Sequence, residues 1–111
     1  MIYKMNLAPA PFKAITEGRK TIEMRLYDER RVNIKVGDEI EFENIETFDK
    51  ITCRVVSLAR FRDFFELYSH FDKTVLGYCE NEIANPEDMF QYYSPDKIAE
   101  YGVLAIEIKL T

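Results

Sequence analysis

Gly18-Arg19-Lys20-Thr21-Ile22-Glu23-Met24-Arg25 is the stretch around which the rest of this chain is organised. A glycine after a short helix lets the backbone turn sharply, because glycine alone enters the left-handed region without steric cost. Lys20 then emerges at the mouth of a strand predicted over Lys20 to Leu26. Side chains alternate along a strand, so Ile22, Met24 and Leu26 share an apolar face, and Thr21, Glu23 and Arg25 share a polar one. Glu23 and Arg25 are i and i+2 neighbours, ~7 Å apart. A lysine, a carboxylate and a guanidinium so placed suit a polar ring. The carboxylate accepts from an amino group, and the cations meet carbonyl or phosphate oxygens. The plainer alternative is that Glu23 and Arg25 pair across an exposed strand, worth ~0–1 kcal/mol.

Working outward, Tyr3, Met5 and Leu7 alternate with Lys4 and Asn6, the pattern of a half-buried strand. Pro9 and Pro11 open a short helix that carries Phe12 and Ile15 and stops at Gly18. Residues 27–35 are polar and predict a loop. Val36-Gly37-Asp38 turns into the alternating strand Glu39 to Glu43, and Ile51 to Leu58 is a β-branched, apolar central strand. Asp63 caps a helix bearing Phe64, Leu67, Tyr68 and Phe71, an aromatic stripe that reads as core. Residues 72–84 show no decisive period. Asn85-Pro86-Glu87-Asp88 and Ser94-Pro95-Asp96 each start a helix, and Val103 to Ile108 closes the chain as a strand. About five strands and three or four short helices, with no repeat or linker, predict one α+β, barrel-like domain over residues 1–111.

Composition agrees with a folded domain: 47% hydrophobic and 14% aromatic residues argue against disorder. No apolar run reaches the ~20 residues of a membrane span, and the N-terminus lacks the pattern of a secretory signal. The expectation is a cytoplasmic protein whose Cys53 and Cys79 are reduced thiols, Cys53 in the core. One histidine, His70, leaves too little for a His-rich metal site or a Ser-His-Asp arrangement, so neither metal nor cofactor is expected. The net charge of −5 speaks against a long duplex tract as partner. The charge is unevenly spread, however. Residues 1–35 hold 8 lysines and arginines against 4 acids, whereas residues 36–111 hold 7 against 16. Arg19, Lys20, Arg25, Arg30, Arg31 and Lys35 form the basic segment, which suits a local groove.

The segment Gly18 to Arg25 has the form G-x-K-x-x-E-x-R, and it resembles the signature of the ASCH (activating signal cointegrator homology) family. The helix ahead of it, the Val36-Gly37-Asp38 turn, the aromatic helix near Phe64 and the closing Tyr101-Gly102-Val103-Leu104-Ala105-Ile106 stand in the order similar to that family. The resemblance implies a PUA-like β-barrel of about five or six strands. It also implies a groove for RNA or a modified nucleoside, to which Gly18, Lys20, Glu23, Arg25, Arg30, Tyr92 and Tyr93 are assigned as ligand-binding residues. Tyr92 and Tyr93 would contribute by stacking, worth ~1–3 kcal/mol per base; the competing reading puts at least one of them in the core.

A branch of the family implies a second reading. Acetylcytidine amidohydrolases of ASCH type use a lysine, a threonine and a glutamate. Lys20 matches the lysine, Glu23 occupies the threonine position, and Glu87 or Asp88 falls where the glutamate is expected. Thr21 is the substitute hydroxyl on the predicted strand face, so Lys20, Thr21, Glu23 and Glu87 are the candidate catalytic residues of an enzyme. A carboxylate is no substitute for a hydroxyl donor, and Glu23 is expected to raise the Lys20 pKa and weaken it as a base. A binding domain is therefore preferred to an amidohydrolase acting on an acylated nucleoside. A protein-interaction module without a small ligand is the third reading.

Overall fold

In the computed structural model, which describes residues 1–111, the Tyr3/Met5/Leu7 alternation is β1 (Ile2–Leu7), from which Met5 and Leu7 are buried. α1 (Pro9–Thr16) places Pro9 in its first turn, where a missing N–H is harmless, and buries Phe12, Ala14 and Ile15. The chain continues as β2 (Ile22–Leu26), β3 (Glu39–Asn44), β4 (Lys50–Phe61), α2 (Phe64–His70), a 3₁₀ helix (Pro86–Gln91), α3 (Pro95–Tyr101) and β5 (Val103–Leu110). The caps anticipated at Asp63, Asn85 and Ser94 all accept a backbone N–H from the first turn that follows.

The strands form one sheet in the order β1-β3-β4-β5-β2, with β1 parallel to β3 and every other pair antiparallel. It curls into a half-barrel, the α+β architecture expected. β4 runs three residues beyond the predicted Leu58. It pairs with β3 over Lys50 to Arg54 and with β5 over Cys53 to Phe61, with a register shift on the β5 side between Val55 and Ser57. An extra residue at such a bulge bends a strand, which helps the sheet to curl. β2 starts at Ile22 rather than Lys20, and the Asn85-Pro86 start leads into a 3₁₀ rather than an α-helix.

Two apolar layers flank the sheet. On one side α1 packs with Met5, Leu7, Ile40, Phe42, Val55 and the β5 residues Leu104, Ile106 and Ile108. On the other, Phe64, Leu67, Leu76, Met89 and Ile98 cover Ile22, Met24, Leu26, Val103 and Ala105. In the β2–β5 register Glu23 sits opposite Ile106 and Arg25 opposite Leu104. The polar face of β2 therefore points toward the first apolar layer and not into solvent, so the exposed-strand reading of this pair fails. β1 and β2 are the two ends of the sheet order, and the seam between them is where the barrel stays open.

Candidate functional site

The segment 19–22 closes on the turn that sequence patterning left undecided. Thr21 and Ile22 both donate their N–H to the Val75 carbonyl (3.0 Å each), Lys20 Nζ donates to the Leu76 carbonyl (3.0 Å), and an Arg19 Nη donates to the Gly77 carbonyl (2.8 Å). Three successive carbonyls are thus taken by four successive residues. Gly77 has φ +110°, and a Cβ there would lie 3.2 Å from Lys20 Cδ, so the loop rests directly on the lysine stem.

Lys20 is 4% exposed and Glu23 5% exposed. Besides Leu76, Lys20 Nζ donates to the Ile22 carbonyl (2.8 Å) and meets Glu23 Oε1 at 3.3 Å. Three acceptors match the three N–H of an ammonium. Arg25 Nε donates to Glu23 Oε2 at 2.8 Å, an Nη lies 2.6 Å from the same oxygen, and that Nη also donates to the Asn6 carbonyl at 2.9 Å. Glu23 is thus held between two cations inside an apolar layer.

Burial acts against the Glu23 carboxylate, but Arg25 and Lys20 outweigh it and hold its pKa below the usual carboxylate value. For Lys20 burial is the larger effect and lowers the pKa, with Glu23 opposing it. Glu23 does act to raise the lysine pKa, as expected, but desolvation of the ammonium exceeds the attraction of the carboxylate, so the net shift is downward.

These groups open onto a cleft of about 660 Å³ at the seam. Lys20, Glu23 and Arg25 form its floor, Asn6 and Pro11 one rim, and Tyr68, Tyr78, Asp88, Gln91, Tyr92 and Tyr93 the facing wall. Along that wall Tyr78 donates its hydroxyl proton to Asp88 Oδ2 (2.8 Å), and the Tyr68 hydroxyl lies 3.0 Å from that of Tyr78. Burial raises the pKa of both tyrosines, and the hydrogen bond to Asp88 adds to this for Tyr78. The Asn6 side-chain amide, the Gln91 side-chain carbonyl and the second Asp88 oxygen make no hydrogen bond within the chain.

Of the residues singled out from sequence, Lys20, Glu23, Arg25, Tyr92 and Tyr93 surround this cleft. Tyr93 also stacks on Phe64 (ring centroids 6.1 Å apart, 14° between planes), so it belongs partly to the core, while Tyr92 is 56% exposed. Four residues lie elsewhere. Gly18 is exposed at the end of α1, with φ +77°. Thr21 lies outside the cleft, its backbone committed to Val75 and Ile108, and so supplies no hydroxyl there. Glu87 does not line the cleft, its N–H donating to the Asn85 cap, and the next residue, Asp88, lines it in its place. Arg30 lines a separate hollow beyond Arg25.

Sequence patterning missed Tyr78, Gly77, Asn6 and Gln91; Tyr68 packs against the core as expected and lines the cleft as well. The i, i+3, i+4 spacing of α2 places Tyr68 beside Phe64 and Leu67, but not at the edge of the layer where its hydroxyl meets Tyr78.

A half-open α+β barrel with a polar cleft at its seam is the class that these features define. The ASCH domain model matches residues 5–111, and the chain belongs to the ASCH domain family. It is similar to hypothetical protein PH0355, whose crystal structure it matches over 100% of both chains at 30% identity with a TM-score of 0.84. It is also similar to protein PF0455 from Pyrococcus furiosus, at 32% identity over 99% of this chain and 97% of that one, with a TM-score of 0.70. ASCH from Zymomonas mobilis shares the fold at 17% identity, over 97% of this chain and 66% of that one, with a TM-score of 0.65. No curated protein matches the chain.

Proposed function

We propose that this protein binds one nucleobase-bearing unit, a nucleoside or a modified nucleoside, in the seam cleft. The observation that carries this reading is an exposed aromatic ring, Tyr92, and the free side-chain carbonyl of Gln91 on one wall, facing the unpaired Asn6 amide across a floor of locked charges. A volume of about 660 Å³ lies within the ~300–1,000 Å³ of small-molecule sites. A base stacks on a tyrosine ring, and its polar edge meets amide donors and acceptors. The cleft itself has Lys20 and Arg25 against Glu23, Glu82 and Asp88, a balance that favours a neutral base over a run of phosphates.

The test is a thermal-stability and calorimetric screen of natural and acetylated nucleosides against the wild type and Tyr92→Ala. A bound nucleoside at a hundred times its Kd adds about 2.7 kcal/mol of stability. Tyr92→Ala is expected to weaken binding by about 1–3 kcal/mol while leaving the unliganded Tm within a degree or two. Absence of stabilisation by any nucleoside overturns the reading.

The lowered pKa of Lys20 is the observation favouring a second reading, an amidohydrolase acting on an acylated nucleoside. Against it, every N–H of Lys20 already has an acceptor, and no threonine hydroxyl lines the cleft. Hydrolysis of acetylcytidine by the wild type is expected to be absent; turnover abolished by Lys20→Ala would reverse the order of the two readings.

A further inference from the structure

Beyond Arg25 the seam continues into a second hollow, lined by Tyr3, Lys4, Met5, Asn6, Arg25, Arg30 and Arg31. Four of these residues are cations and none is an acid. Two of the cations are already compensated: Arg25 by Glu23 (2.6 Å) and Arg31 by Asp28 (2.6 Å). Lys4 and Arg30 have no ion-pair partner. Asp28 accepts from the Arg30 backbone N–H, and its carboxylate is turned to Arg31. Glu41, beside Lys4 on the neighbouring β3, is turned to Lys50 (4.0 Å). The hollow therefore carries about two uncompensated positive charges, close to the −1.5 to −2 of a phosphate monoester at neutral pH.

Asn6 and Arg25 line both the hollow and the nucleoside cleft, and the hydrogen bond between them is the sill that separates the two. A group leaving the cleft over that sill comes directly onto Lys4 and Arg30. We propose that this hollow is a phosphate subsite and that the ligand class is a nucleotide, its base in the cleft and its phosphate between Lys4 and Arg30. The inference rests on the nucleoside reading and adds the charged group to it. It also accounts for a division of labour along the seam. The cleft has spare carboxylate oxygen and amide groups for a base, whereas the hollow has only donors for an anion.

The test is an NMR titration of the full chain at low ionic strength. The probes are the four ribonucleosides, their 5′-monophosphates, cytidylyl-cytidine and inorganic phosphate. The expected result is that at least one monophosphate binds ten-fold or more tightly than its nucleoside, an advantage that shrinks with added sodium chloride. The double variant Lys4→Ala/Arg30→Ala is expected to lose that advantage and to bind the nucleoside within two-fold of the wild type. Both side chains are exposed and unpaired, so its Tm serves as the control for folding. An equal advantage for cytidylyl-cytidine assigns the phosphate to an RNA strand; an advantage confined to monophosphates assigns it to a free nucleotide.

A nucleoside that binds as tightly as its monophosphate, or a double variant that weakens both alike, overturns the subsite and leaves the cleft reading intact. Inorganic phosphate that shifts Lys4 and Arg30 resonances, without binding of any nucleoside or nucleotide, overturns the nucleotide assignment together with the cleft reading.

Discussion

Arg25 reaches from β2 across the open seam and donates to the main-chain carbonyl of Asn6 on β1 at 2.9 Å, while the same guanidinium grips Glu23. The two edge strands, which no hydrogen-bonded ladder joins, are thus tied by one side chain. A lysine at this position has a single ammonium, which engages either Glu23 or the Asn6 carbonyl but not both with good geometry. Arg25→Lys is expected to lose about 1.5–3 kcal/mol in urea unfolding, the worth of a charge-assisted hydrogen bond. Amide exchange should accelerate at β1 before it does at β4. Unchanged stability would mean the seam is held elsewhere.

Glu23→Gln removes the carboxylate between Lys20 and Arg25 and leaves two buried cations without their counter-charge. The expected loss is about 3–5 kcal/mol. Adding Lys20→Met to it should recover part of that loss, a coupling that a double-mutant cycle in urea measures directly. The pH dependence follows from the lowered pKa of Glu23. The unfolded chain takes up a proton near the ordinary carboxylate value of 4.5 while the folded protein still resists it. Stability from this group is therefore full above that pH and declines as the pH falls toward the folded-state pKa. Between pH 5 and pH 3 the wild type should lose stability more steeply than Glu23→Gln.

Gly77→Ala and Gly18→Ala separate backbone strain from crowding. Both residues have positive φ, but only at Gly77 does a new Cβ meet another atom closely, Lys20 Cδ at 3.2 Å. At Gly18 nothing lies within 4 Å. Gly18→Ala should destabilise by about 1–2 kcal/mol, the backbone strain alone. Gly77→Ala should exceed that and also perturb the Lys20 and Glu23 resonances. Equal losses with no such perturbation would show that the loop does not seat the lysine.

The two thiols should differ sharply in reactivity. Cys53 is fully buried on β4, and burial, followed by the nearby Glu23, pushes its pKa up to about 11. The thiolate is the reactive form, so Cys53 should label only as the protein unfolds. Cys79 is exposed and should react with a thiol reagent in the native state. One equivalent of fast labelling, abolished by Cys79→Ser, is the expected result.

Local chemistry determined much of this protein from sequence alone. The alternation in β1 and β3, the proline-led helices, the Asp63, Asn85 and Ser94 caps and the Gly18 stop depend on neighbours a few residues away, and each stands where its pattern placed it. Periodicity also grouped Glu23 with Arg25 on one side of β2. What alternation leaves open is what that side faces. Only the register with β5, which sets Glu23 against Ile106, turned an ordinary charged strand face into the wall of an apolar layer. Tertiary structure likewise supplied the acceptor for Lys20, a carbonyl 56 residues away, and chose Asp88 over Glu87 by one residue's rotation in a 3₁₀ helix. It also moved Arg30 out of the cleft into its own hollow. Desolvation explains why these were invisible along the chain. The energy of a charge depends on how much water the whole fold removes from it, and no local pattern carries that information.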